Sequence, residues 1–232
     1  MSVESENATD TRAAAPAAAA PPEALPAAAP VAAPVANPSL TALICFLPSG
    51  VTLGLWFVGY LDTAALPGGM IPILTFSAGL FMLISTVSAL RIGDSASAAI
   101  FGVFSAFWTS FGVLLMALNN GWIIDAGTGQ ALSTTQITGI QSTFLLSFLL
   151  VFVLLTLATL RLPLMFTLGF VLVDITFVLA YVGVTAGNTG LFPFAGITTF
   201  AFCAVFAYVL YDGFGQALGG RPMPLGPPVV KS

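Results

Sequence analysis

A chain of 232 residues is long enough for one soluble domain, but 58% of it is hydrophobic and only 6% charged, against about 25% charged in globular domains. So few charges cannot cover a water-facing surface, which leaves an integral membrane protein. The net charge of −4 comes without any basic run, so nucleic-acid binding has no electrostatic footprint.

Histidine is absent, and Cys45 and Cys203 stand alone in apolar stretches; neither forms part of a metal, haem or disulfide pattern. No metal and no cofactor are expected. Walker, GxGxxG, HExxH and Ser/His/Asp patterns are also missing from the sequence, so nothing in it points to an enzyme.

Residues 1–36 are dominated by Ala and Pro. Repeated proline breaks helix and removes backbone donors, so a disordered, polyproline-like tail is expected. It lacks the basic start and unbroken apolar core of a signal peptide. Six apolar stretches follow, at 39–60, 69–90, 98–118, 140–160, 164–184 and 193–211, each long enough to cross ~30 Å of hydrocarbon as a helix. The segments between them, such as LDTAALPGG, RIGDS and TAGNTGLFP, carry turn residues. The expected organisation is a tail at 1–36, a six-helix transmembrane bundle at 37–213 and a short tail at 214–232. This is an all-α multi-pass membrane protein in contact with the lipid bilayer.

Five basic residues set the orientation. With six spans, Arg12, Arg91, Arg161, Arg221 and Lys231 all fall on one side, and the positive-inside rule makes that side cytoplasmic. Both termini are therefore expected in the cytoplasm, with the plasma (inner) membrane as the location. Three helices followed by three more give halves of opposite orientation, the plan of a 3+3 inverted repeat. The internal similarity is confined to the aromatic spacing of FSAFWTSFGVLL and FAFCAVFAYVLY.

Asp174 lies mid-span in LGFVLVDITFVLAY, where an acid costs roughly 2.5–3.5 kcal/mol to insert. No Lys, Arg or His occupies any span, so it has no ionic partner. Two roles fit: a carboxyl that gains and loses a proton during transport, or a neutral acid that hydrogen-bonds a neighbouring helix. Thr167, Asp174 and Tyr181 recur at intervals of seven and share a helix face, read as pore-facing, with a polar helix–helix seam as the alternative. Asn37-Pro38 suits the start of the first helix, and Asn188 precedes the last. The amides behind each could attract an anion weakly. Pro48 predicts a kink and a freed carbonyl. Trp56, Trp108 and Trp122 partly read as interfacial anchors.

The segment Asn37-Pro-Ser-Leu-Thr-Ala-Leu-Ile-Cys-Phe46 resembles the opening Asn-Pro-Ala-Pro-Leu-Gly-Leu-x-Gly-Phe of the acetate uptake transporters. This family is also called the succinate–acetate permease or YaaH family. Further matching segments are Gly93-Asp-Ser-Ala-Ser with the following FGVFSAFW, Ala186-Gly187-Asn188, Ala195-Gly196, Tyr208 and Met223-Pro224-Leu225-Gly226. The resemblance runs in order from residue 37 to about 226.

It implies a six-helix bundle assembled as a homo-oligomer, a hexamer, with a pore in each protomer that moves acetate and succinate in a proton-coupled or channel-like way. It also implies a constriction at Phe46, Phe104 and Val173, where the family has Phe, Tyr and Leu. Trp108, Asn37, Asn188 and Tyr208 are then expected along the substrate pathway, and Asp174, Thr167 and Tyr181 in proton coupling. Met82 and Ala89 replace a Gln and a Glu usual in the family, and Asp94 replaces an Asn, which marks a divergent member.

The leading expectation is thus a symport or channel for small carboxylates such as acetate, with protons as the coupled species. A passive channel for neutral solutes such as urea or amides is the second reading. A membrane scaffold or sensor working through its Ala/Pro tail is the third.

Overall fold

The computed structural model describes residues 36–61 and 67–230; the Ala/Pro segment at 1–35 lies outside the described residues. The described chain is helical, with six helices long and apolar enough to cross a membrane. Helix α1 spans Pro38–Phe57. The second span is composite: α2 at Pro67–Pro72, a wider π-helical stretch at Ile73–Leu80, and α3 at Phe81–Arg91. Helices α4 (Ser95–Asn119), α5 (Thr134–Thr159), α6 (Leu164–Thr185) and α7 (Phe192–Ala217) complete the bundle.

Local chemistry sets most helix ends. Asn37 caps α1 by accepting from Ser39 N at 2.9 Å, and Pro38 occupies the first helical position, where its missing N–H is harmless. Helix α5 starts six residues before the apolar run because Ser133 and Gln136 form a reciprocal capping box. The preceding loop is tied by Asp125, which accepts from Gln136 Nε2, Thr128 and Gly127. Those bonds, Gln136's foremost, hold the Asp125 carboxyl below the usual carboxylate range.

The spans form a ring. Helix α7 packs between α1 and α6, α5 lies on α6, and the composite second span sits between α1 and α4. The ring closes where Phe107 and Phe111 of α4 meet Phe144, Phe148 and Phe152 of α5, at 5.2–5.8 Å between ring centroids. Only 11% of the α5 span is buried, against 33–44% of the others, so α5 is the outermost helix. Arg91, Arg161 and Arg221 all emerge at one end of the bundle.

Between α1 and α7 the contact is made by glycine. A Cβ on Gly50 would strike Cys203 Sγ, one on Gly54 the Phe200 ring, and one on Gly196 would lie 2.6 Å from Val58 Cγ1 and 3.1 Å from Gly54 O. Small residues let helix backbones approach where no hydrophobic effect drives association. The π-helical stretch and α4 interlock in the same way: Thr75 fills the space over Gly112, and Thr109 the space over Gly79.

Hydroxyls on neighbouring helices serve the carbonyls of the irregular backbone. Ser49 Oγ donates to Ile73 O at 2.9 Å, and Ser105 Oγ to Gly79 O at 2.7 Å. Helix α1 continues through Pro48. One residue from the carbonyl which that proline's missing N–H leaves free, Cys45 O accepts from Ser77 Oγ at 2.7 Å.

The C-terminal segment differs from the tail expected at 214–232. Helix α7 runs on to Ala217, and residues 219–230 fold back as a strap over the α5–α6 end. Buried Asp212 accepts from Met223 N at 2.6 Å and from Gln216 Nε2 at 2.8 Å. The strap carbonyls of Leu225 and Gly226 accept from Met165 N and Leu164 N. They thereby cap α6, whose own N-cap residue Pro163 provides no side-chain bond. Gly226 holds φ +78 to make this turn, a conformation other residues seldom adopt.

Two outcomes test this packing. Gly196→Leu forces α1 and α7 apart against backbone that cannot yield, and thermal unfolding in detergent should show a loss of about 1–3 kcal/mol. Asp212→Ala leaves two donors unpaired at a cost of roughly 1–3 kcal/mol. Hydrogen exchange should then speed up at Leu164 and Met165 while the α1 amides stay protected.

Candidate functional site

Two cavities enter the ring from opposite ends. The inner cavity, at the end bearing the arginines, has a volume of about 220 Å³ and is walled by α1, α3, α4, α6 and α7, roomy against the ~30 Å³ share of one water. Its deepest wall is formed by Phe46, Phe104, Phe170 and Phe206. The outer cavity, of about 500 Å³, is lined by Trp56, Phe57, Phe111, Phe144, Ala180 and Phe192 among others.

An aromatic waist separates them. Phe46 is its centre, with ring centroids 5.6 Å from Phe104, 6.0 Å from Trp108, 5.9 Å from Phe202 and 5.6 Å from Phe206. Phe104 also meets Phe152 at 4.9 Å and Phe170 at 5.7 Å. Seven residues separate the two cavities along α4 (Phe104 to Phe111) and ten along α6 (Phe170 to Ala180). At 1.5 Å per residue the waist is about 10–15 Å thick. The rings fill it: Phe46 is 2% exposed, Trp108 1% and Phe170 1%.

The waist and outer cavity hold two unusual donors. The indole N–H groups of Trp108 and Trp56 are buried and have no acceptor. Trp108 sits in the waist against Phe46, and Trp56 lines the outer cavity. Buried polar groups are normally paired, so each indole is an unpaired donor among mostly apolar neighbours. Among the described residues no group of three His, Cys, Asp or Glu could hold a metal ion.

The residues picked out in sequence divide into those the structure gathers and those it does not. Phe46, Phe104 and Trp108 come together in the waist. Val173 is buried in the same hydrophobic core, although it lines neither of these two cavities. Asn37 and Asn188 lie one or two residues from Ser39 and Thr189, which line the inner and outer cavities. Both amide side chains act as local caps, Asn188 accepting from Gly190 N at the head of a short 3-10 turn and not of α7 itself. Tyr208 turns to the strap, its hydroxyl 3.2 Å from Pro224 O.

The pore-facing reading of the α6 stripe does not match the geometry. Asp174 Oδ2 lies 2.6 Å from Thr156 Oγ1, and Thr167 Oγ1 donates to Thr159 O at 2.8 Å. Both therefore engage α5 in a polar seam, and neither lines the cavities on the other side of α6. Tyr181 is half-buried two turns further on. The reason is rotational: the face of α6 toward the ring is taken by Phe166, Phe170, Val173 and Phe177, whose centre lies about a fifth of a turn away from Asp174.

Sequence reasoning missed Phe152, Phe170, Phe202 and Phe206. The signal was available, since aromatic residues recur at intervals of four in 144–148–152, 166–170 and 202–206, the spacing that stacks side chains on one helix face.

Comparison with known proteins agrees with this architecture. A search of curated proteins gives no match. The solved "Structure of the bacterial acetate channel SatP" superposes with a TM-score of 0.71 at 21% identity, covering 83% of this chain and 100% of that one. The family model described as GPR1/FUN34/yaaH family matches residues 20–218. The chain is a multi-pass membrane protein that belongs to the GPR1/FUN34/yaaH family.

Proposed function

We propose that this protein is a channel or transporter for small monocarboxylates, with acetate as its first substrate. The observation that carries the reading is the pair of cavities meeting at an aromatic waist in which Trp108 holds an unpaired N–H. Family membership and the fold shared with a protein titled an acetate channel support it. The apolar rings suit a methyl group, and the indole donors suit a carboxyl oxygen that has left water. Succinate, with a second carboxyl, is the poorer fit to such a waist.

In this reading both termini are cytoplasmic in the plasma (inner) membrane and the inner cavity faces the cytoplasm, as the positions of Arg91, Arg161 and Arg221 favour. The two halves of the ring act as an inverted pair, and a homo-hexamer is the expected assembly. A proton accompanies each carboxylate. Asp174 serves as a neutral seam acid: the single hydroxyl proton of Thr156 goes to Phe152 O, 3.0 Å away, and a protonated Asp174 donates to Thr156 in turn.

The direct test is entry of labelled acetate and succinate into proteoliposomes, with and without an inward proton gradient, against empty liposomes. Gradient-driven, protein-dependent acetate entry that exceeds succinate entry is expected. No protein-dependent entry of either acid would move the neutral-solute channel from second place to first. Trp108→Phe keeps the ring and removes the donor, and should lower acetate entry about tenfold, the worth of one hydrogen bond of ~1–1.5 kcal/mol, with little change in unfolding temperature. Asp174→Asn retains a hydrogen bond to Thr156 and should leave proton-linked entry within about twofold of wild type, well inside the ~1.4 kcal/mol of a tenfold change. A collapse of gradient-driven entry in that variant would instead put Asp174 in the coupling mechanism.

A further inference from the structure

Asp94 is the one charged residue among those lining the inner cavity. Its neighbours there are apolar side chains and the hydroxyls of Ser39 and Ser97. It is the N-cap of α4, and its Oδ1 accepts from Ser97 N at 3.0 Å. Hydrogen bonds from the Ser97 side chain, then from the Ser97 and Ala96 amides, hold its carboxyl below the usual carboxylate range. The positive end of a helix ordinarily favours an external anion; on α4 that position is occupied by the protein's own carboxylate.

No other charge in the wall offsets it. Helix α1 contributes Ser39, Leu43 and Phe46, α3 contributes Met82, and α7 contributes Phe206. Leu162, Phe166 and Phe170 come from α6 and the turn before it. Arg91, Arg161 and Arg221, at the same end, are exposed and outside the lining. Asp212 is committed to the strap.

We propose that Asp94 is a specificity-determining residue, a fixed negative charge in the inner cavity that turns back carboxylate anions and admits the neutral, protonated acid. The inference rests on the monocarboxylate reading above. A carboxylate takes up one proton on one side, crosses as the neutral acid, and releases anion and proton on the other, so no net charge moves. The proton travels on the substrate and needs no relay of side chains.

The pH dependence follows. Because the Asp94 carboxyl is held low, its charge is present above that low value and is lost only as pH falls through it. Across the neutral range the charge is constant, and the variation belongs to the substrate: entry falls about tenfold per pH unit above the acid's own pKa.

The test compares full-length wild type with Asp94→Asn, which preserves a good helix cap. Acetate current is measured in planar bilayers in symmetrical sodium acetate at neutral pH. Acidification by acetate is followed with a pH dye inside proteoliposomes. Wild type should acidify vesicles faster than empty liposomes and carry no acetate current. Asp94→Asn should gain an acetate current at least about tenfold above wild type, the order expected for removing a nearby fixed charge. If Asp94→Asn does not fold, Asp94→Ser, also a good cap, gives the same comparison. An acetate current in wild type equal to that of the variant overturns the inference and leaves carboxylate permeation standing. If neither protein acidifies vesicles or conducts, the carboxylate reading itself falls, and this inference with it.

Discussion

The packing of Phe46 is the constraint on which the rest of the structure depends. One ring on α1 meets aromatic partners on α4 and α7 at 5.6–6.0 Å, in the edge-to-face and tilted arrangements such rings prefer. It can do so only because α1 and α7 approach closely through Gly50, Gly54 and Gly196, and because Gly169 of α6 leaves room for the Phe206 ring. Small residues at the seams and large ones at the centre are two halves of one arrangement. Enlarging a seam residue widens the ring of helices and loosens the waist.

Close packing leaves the irregular backbone to be satisfied, and in hydrocarbon an unpaired carbonyl costs several kcal/mol. The composite second span meets this cost with hydroxyls: Ser49 on Ile73 O, Ser105 on Gly79 O, and its own Ser77 returned to Cys45 O beside the Pro48 gap. These bonds run from α1 to the π-helical stretch and on to α4, so they tie three walls of the bundle together. At the other side of the ring the strap performs the same duty for α6, using backbone carbonyls in place of a side-chain cap.

The spans were legible because hydrocarbon thickness imposes a long apolar run that survives any single polar residue. Their ends were less so. The start of α5 is set by Ser133 and Gln136, polar residues that a hydropathy reading discards, and the end of α7 lies beyond Asp212 because that acid is buried against the strap. The candidate site was legible in part: Phe46, Phe104 and Trp108 do meet. Asp174 drew attention for its cost, but composition says nothing of rotation about a helix axis. Whether a polar residue faces the passage or a neighbour is decided by which apolar face the ring selects, here the Phe166, Phe170 and Phe177 face. Asp94 stood out as a replaced residue, and only the fold shows that its carboxylate is part of a cavity wall.

The waist and the carboxylate below it act on the same property of the solute. An ion entering about 10–15 Å of close-packed rings loses most of its hydration, at an effective cost of several kcal/mol even after relaxation. A neutral acid forfeits one or two hydrogen bonds, and the indole donors of Trp108 and Trp56 return part of that. Asp94 adds Coulomb repulsion for the anion alone, about 2–4 kcal/mol at 4–8 Å and an effective dielectric of 20. Each effect disfavours the charged form, and they act at different depths, so the anion meets one after the other. On this argument the passage needs no fixed cation to move an acid, and the absence of Lys, Arg and His from the spans, save Arg91 at the very end of the second, is what a route for the neutral species requires.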